Sequence, residues 1–196
     1  MLRGKSGFVL ALVLIVGAFA FVMYSGLYNV AASDPHSRFA RWVLDTVVAR
    51  SVERRAEGLR APALDDESRV TAGARNYDEA CAGCHGAPGV EPMAFTRGLN
   101  PEPPHFTPAS HGHEGAEWSA AELFWIVKHG IKMTGMPAWD DQFSDSEIWS
   151  LVAFLQAVPE MNADRYQQLT RSGGDAEAER AGGGASSAGA KGGHPG

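Results

Sequence analysis

The densest chemistry in the chain is Cys81-Ala82-Gly83-Cys84-His85. These are the only two cysteines among 196 residues, three positions apart, and a histidine follows directly. Cys-x-x-Cys-His is the attachment pattern for c-type haem. Two thiols at this spacing add across the two vinyl groups of one porphyrin. The adjacent histidine then lies under the iron as an axial ligand, so the expected cofactor is one covalent haem c held by Cys81 and Cys84, with His85 on its iron. Three other readings fit less well. A thioredoxin-like pair follows a strand in a βαβ unit, whereas a helical pattern leads into Cys81. A structural zinc site takes four ligands. Those would have to include two of His105, His111 and His113, which form no second paired motif at finger spacing. A simple disulfide leaves His85 and the helical context unexplained.

A haem that carries electrons takes a sixth ligand, and a thioether raises its potential. Met136 is the expected ligand. It stands in the tight turn Gly135-Met136-Pro137, which directs a sulfur inward without a helix. Met133 is the runner-up and Met93, closer to the cysteines, is third. His129 at the end of a helical segment is the bis-histidine alternative. An iron filled on both sides passes single electrons rather than binding oxygen or activating peroxide.

Helices must position these groups. Val70, Ala74, Tyr77 and Cys81 share one helical face, which predicts a helix from Asp65 to about Ala80 running into the cysteines. Gly and Pro then dominate, as in Asn100-Pro101-Glu102-Pro103-Pro104, and predict a long loop that a cofactor would organise. Ser119-x-x-Glu122 and Ser144-x-x-Glu147 are capping boxes for two further helices, stopped by Gly130 and by Pro159. The Met136 turn lies between them. No period-two run appears, so the expected class is all-α. Phe95, Phe106, Phe124, Trp125 and Trp139 are candidates to wall a porphyrin.

The N-terminal segment Gly7–Tyr28 has no charge, and Arg3 and Lys5 precede it. A helix of this length matches the ~30 Å apolar core of a bilayer. Positive charge stays inside, so the remainder is expected outside the cytoplasm. The run exceeds the ~7–15-residue apolar region of a secretory signal, which favours a retained anchor over cleavage near Ala32. Asp34 and Pro35 then predict the start of an amphipathic helix. Its apolar stripe is Phe39, Trp42, Val43, Thr46 and Val47, and it stops at Gly58. Such a helix packs on the downstream domain, or lies on headgroups or a membrane partner. The last residues, rich in Gly, Ala and Ser, are expected to stay unfolded. The predicted organisation is an anchor over 1–29, a juxtamembrane helix and linker over 30–62, a haem domain over 63–160 and a flexible tail over 161–196. A net charge of −6 with no long basic run argues against nucleic acid, and beyond residue 30 the 15 basic and 23 acidic residues leave −8, which favours a basic docking partner.

The region from Asp65 to Pro159 resembles class I cytochromes c, and in particular the single-haem domains of bacterial haem–copper oxidase subunits. The match rests on Val70-x-x-Gly73-x-x-x-Tyr77-x-x-x-Cys81-x-x-Cys84-His85-Gly86, Pro103-Pro104, Gly135-Met136-Pro137-Ala138 and Leu151-Val152-Ala153-Phe154-Leu155. The resemblance implies a cytochrome c-like helical domain wrapped on one haem, with the Gly73–Tyr77 face crossing the last helix near Phe154. It implies His85 and Met136 as axial ligands, and a Pro104 carbonyl that accepts from the free nitrogen of His85. It also implies a non-enzymatic electron carrier, single-pass in the inner membrane with its haem domain periplasmic. Its partners would be redox proteins of a respiratory complex or terminal oxidase. A haem enzyme, or a gas or redox sensor, in which the methionine leaves the iron is the alternative. His105 and the His111-Gly112-His113-Glu114 cluster depart from the pattern; the cluster is read as ordinary solvated loop histidines or, alternatively, as a second metal site.

Overall fold

The structure is a computed structural model and describes residues 2–106 and 118–171, with side chains from residue 7 onward. It divides into two compact units, Met1–Ser37 and Arg38 onward.

The first unit is the helix α1, Leu2–Ser25, and a short segment after it. Gly7–Ser25 is long and apolar enough to cross a membrane, and none of it is buried. The consecutive residues Leu12, Val13, Leu14, Ile15 and Val16 are all exposed, so the apolar surface goes round the whole helix. After Gly26, at φ 69°, the chain folds on its own side chains. Asn29 donates to the Asp34 carboxylate at 3.0 Å, and Tyr28 and His36 meet at 3.3 Å. The expected helix start at Asp34-Pro35 is therefore not realised. Asp34 serves the Asn29 amide, and the next helix begins at Arg38.

That helix, α2 (Arg38–Ala56), opens the second unit and packs on α5 (Ala120–His129). The face it uses differs from the expected stripe. Val52 and Ala56, four apart, are buried, and the Arg55 guanidinium lies 6.0 Å from the centroid of the Trp125 ring. Phe39, Trp42 and Val47 are exposed, with the Phe39 and Trp42 rings 5.9 Å apart. The helix carries two apolar faces, and the domain takes the C-terminal one. The expected boundary at residue 62 lies within the second unit, which begins at Arg38.

The centre of the domain is the crossing of α3 (Glu67–Ala80) and α6 (Asp145–Ala157). Asp66 caps α3 by accepting from the Ser68 N–H at 2.8 Å. Val70, Gly73, Ala74 and Tyr77 turn inward against Ile148, Leu151, Val152 and Phe154. Backbones meet at Gly73, where a Cβ would stand 1.9 Å from the Ser150 carbonyl oxygen and 2.9 Å from Phe154 Cβ. Only a residue without a side chain permits this approach. The Tyr77 and Phe154 rings close the crossing at 4.8 Å. A single turn, α4 (Ala82–His85), follows α3, and a 3-10 turn spans Ala94–Gly98. Among the described residues there is no strand, only an isolated bridge between Ala87 and Val90.

The expected tail boundary at 160 is too early. After the 3-10 turn Val158–Glu160, residues 163–171 form a helix, α7. Met161, Tyr166 and Leu169 join the core. Tyr166 donates to Asp78 at 2.6 Å and Arg165 pairs with Glu67, so α7 is fastened along α3. The physical reason is that burial of three large side chains outweighs the ordering of one short helix. Residues 172–196 lie outside the described part.

Both capping boxes form. Ser119 and Glu122 exchange bonds at the start of α5, and Ser144 and Glu147 at the start of α6. Hydrogen bonds from the Ser144 side chain and backbone hold the Glu147 carboxyl below its ordinary value. A depressed value stabilises the fold above the ordinary glutamate range, and this contribution disappears as pH falls through the folded value. Unfolding followed by circular dichroism from neutral to acid pH should therefore lose more stability in the parent than in Glu147→Gln. Identical pH slopes would rule out the carboxylate's part in the cap.

Candidate functional site

The two cysteines and His85 are placed by the end of α3 and the single turn that follows it. The Cys81 N–H ends α3 by donating to Tyr77 O at 2.8 Å. Cys84 and His85 both donate to the Cys81 carbonyl at 3.0 Å. One helical turn thus sets Cys81, Cys84 and His85 at i, i+3 and i+4 on one face. Gly86 then stops the turn at φ 66°. A Cβ there would meet the Val90 carbonyl at 3.1 Å and Pro92 Cδ at 3.2 Å. The buried Tyr77 hydroxyl reaches over the motif and donates to Gly86 O at 2.6 Å. Burial pushes the Tyr77 phenol well above its usual range, so it stays a donor at any physiological pH. Tyr77→Phe should cost about 1–2 kcal/mol in denaturant unfolding, the weight of one buried hydrogen bond. An unchanged midpoint would remove this bond from the account.

Cys81 and Cys84 are not joined to each other. Burial, with Cys84 as a smaller contribution, pushes the Cys81 thiol up to about 12. His85 is held below its ordinary value, chiefly by burial, with the Pro104 carbonyl acting the other way and His105 adding a little. Its ring is neutral at pH 7. His85 Nδ1 donates to Pro104 O at 2.8 Å across nineteen positions of sequence. A carbonyl only accepts, so the proton sits on Nδ1 and the Nε2 lone pair is left for a metal. The return of the loop is tied twice more at this point. Phe106 N–H donates to His85 O at 3.1 Å, and the Phe106 ring lies 5.1 Å from the imidazole.

The three methionines have different surroundings. Met93 donates its N–H to Gly83 O at 2.9 Å, and its Cε lies 3.4 Å from where a Gly83 Cβ would be, so it lies over the motif's own turn. Met133 is 97% exposed at φ 63°. Met136 is half-buried in the loop joining α5 to α6. Gly130 opens that loop at φ 62°, and a Cβ on it would stand 2.6 Å from the Pro137 carbonyl carbon. Trp139 N–H donates to Lys128 O at 3.1 Å, and Lys128 pairs with Asp145 at 2.5 Å, which joins the two ends of the loop. Sequence reasoning missed Gly130 as a contact residue and Thr134 as a hydrogen-bonding one. The glycine next to a helix end was the visible signal for the first, and no local pattern marks the second.

The aromatic candidates separate. Phe106 stands beside His85, whereas Phe124 stacks on Trp149 at 4.2 Å inside the α5–α6 packing. Trp125 faces Arg55 and His129, Trp139 packs on Phe143, and Phe95 is exposed. His105 lies 3.8 Å from Glu102. Among the described residues no three His, Cys, Asp or Glu side chains gather as a metal would need. The zinc alternative needs at least one of His111 and His113 beside the two cysteines. His111 and His113 lie outside the described residues.

This donor set fits haem c: two thiols on one turn, a neutral imidazole with a fixed proton, and a half-buried thioether on a separate tied loop. Residues 68–155 match the family described as cytochrome C oxidase, cbb3-type, subunit III. No curated protein matches the chain.

Proposed function

We propose that residues 68–155, which match the family of cbb3-type cytochrome c oxidase subunit III, form a cytochrome c domain, and that the protein is a membrane-anchored monohaem electron carrier of the periplasmic face. A cytochrome c domain implies electron transfer, and its cofactor is haem c. When bound, the haem supplies a one-electron couple at its iron. The residues that hold it on this reading are Cys81 and Cys84 as thioethers, with His85 Nε2 and Met136 sulfur on the iron. Two protein ligands leave no open position, which suits single-electron transfer rather than ligand activation.

The observation that carries the reading is the His85 Nδ1–Pro104 bond. It fixes the tautomer, orients the ring and raises the basicity of Nε2. Purified full-length protein is expected to be low-spin in both oxidation states, with a c-type spectrum when reduced. A high-spin oxidised spectrum would overturn the carrier reading in favour of an open-site haem protein.

The membrane part of the reading is supported by Gly7–Ser25. Detergent should be needed to release the protein, and its mature N-terminus should precede Ala32. Release by salt, or a chain starting after Ala32, would replace the anchor with a cleaved signal. The charge of −8 beyond residue 30, 15 basic against 23 acidic residues, supports docking to a basic redox partner, with rates that fall as salt rises. Co-purification of a respiratory complex from mildly solubilised membranes tests that partner class.

A further inference from the structure

We propose that Thr134 is the positioning residue for Met136: its side-chain hydroxyl, rather than the backbone alone, keeps the thioether on the iron. The proposal rests on Met136 being the sixth ligand and concerns what holds it there.

Both backbone polar groups of Met136 lead back to one residue. Its carbonyl accepts from Ile131 N–H at 3.2 Å. Its N–H donates to Thr134 Oγ1 at 3.1 Å, and that hydroxyl donates onward to Ile131 O at 2.8 Å. Met136 therefore hangs between the two polar groups of Ile131, directly on one side and through the hydroxyl on the other. Ile131 follows Gly130, whose contact with Met136 and Pro137 fixes where the ring of bonds begins. On the far side a Cβ at Gly135 would come within 3.0 Å of Leu99 Cδ1, so the chain at the methionine also rests on the returning loop.

The hydroxyl is needed because the backbone takes an unusual path. Met133 occupies the left-handed region at φ 63°, where a Cβ crowds the following carbonyl oxygen. Its side chain is 97% exposed and gains no burial in return. Thr134 N–H meets the same Ile131 carbonyl at a long 3.3 Å, leaving the shorter bond to the side chain. Strain of this kind persists where surrounding structure over-determines it. Here the over-determination is the three-centre link Ile131–Thr134–Met136. A half-buried hydroxyl that both donates and accepts can be removed with almost no change of volume by valine.

The test uses the full-length holoprotein with Thr134→Val and Thr134→Ser. The readouts are the methionine-to-iron charge-transfer band of the oxidised form and its displacement by added imidazole. Thr134→Val should bind imidazole roughly tenfold more tightly than the parent, the weight of one to two hydrogen bonds. Its band should also be lost at lower pH. Thr134→Ser, which keeps the hydroxyl, should follow the parent in both. A valine variant with parental imidazole affinity overturns the proposal, as does a serine variant that behaves like valine. A structural role alone would lower the unfolding midpoint of both variants without this split. If the parent itself lacks the band, the assignment of Met136 fails first, and the proposal with it.

Discussion

Gly73→Ala is expected to destabilise the protein by about 3 kcal/mol or more, the upper range for forcing volume into a packed interior. The added Cβ would stand 1.9 Å from the Ser150 carbonyl oxygen. Backbone meets backbone there, so no side chain can rotate away, and α3 and α6 have to move apart. The same crossing carries the Tyr77–Phe154 contact and the face leading to Cys81. A domain stable by only ~5–15 kcal/mol loses a large share of that margin. Guanidinium unfolding of the holoprotein measures it, with Gly98→Ala as reference, because nothing lies within 4 Å of a Cβ at Gly98. The reference should change by no more than ~0.5 kcal/mol. Equal midpoints for the two variants would disprove the close crossing.

Met136→Ala should abolish the charge-transfer band of the oxidised protein and lower the reduction potential, within the roughly 0.8 V range that axial ligands command. The physical reason is the loss of a neutral thioether, which favours the reduced iron. Met133→Ala should keep both the band and the potential, because that side chain is 97% exposed. Absorption spectra and a redox titration of the two variants separate the assignments. If Met133→Ala loses the band and Met136→Ala keeps it, the two methionines exchange roles.

What could be read in the sequence was local. Ser119-x-x-Glu122 and Ser144-x-x-Glu147 announce their helices because a capping box closes within four residues. The all-helical class followed from the same short-range signals. The crossing at Gly73 and the Pro104 carbonyl came through resemblance to a family, since neither a contact 77 positions away nor one 19 positions away has a local signature. Two elements were misjudged for identifiable reasons. The stripe Phe39-Trp42-Val47 is the more apolar face of α2, but the domain grips Val52 and Ala56, a weaker pattern at the other end. Met161, Tyr166 and Leu169 follow Pro159 and precede a Gly-rich run, so a helix sat between two breakers and read as part of the tail. Thr134 was invisible because its role depends on Met133 turning left-handed, which Gly or Asn would have signalled and methionine does not.

The ion pair between Lys128 and Asp145 closes the base of the loop that bears Met136. Electron transfer is fast when atoms near the metal keep their positions in both oxidation states, that is, when reorganisation energy is small. If Met136 is the ligand, a loop joined at its base and bonded internally at Ile131 would hold the sulfur in place in both oxidation states. Turnover of such a carrier would then be governed by how far apart the two redox centres sit and how long the docked pair lasts, not by rearrangement of its own ligands.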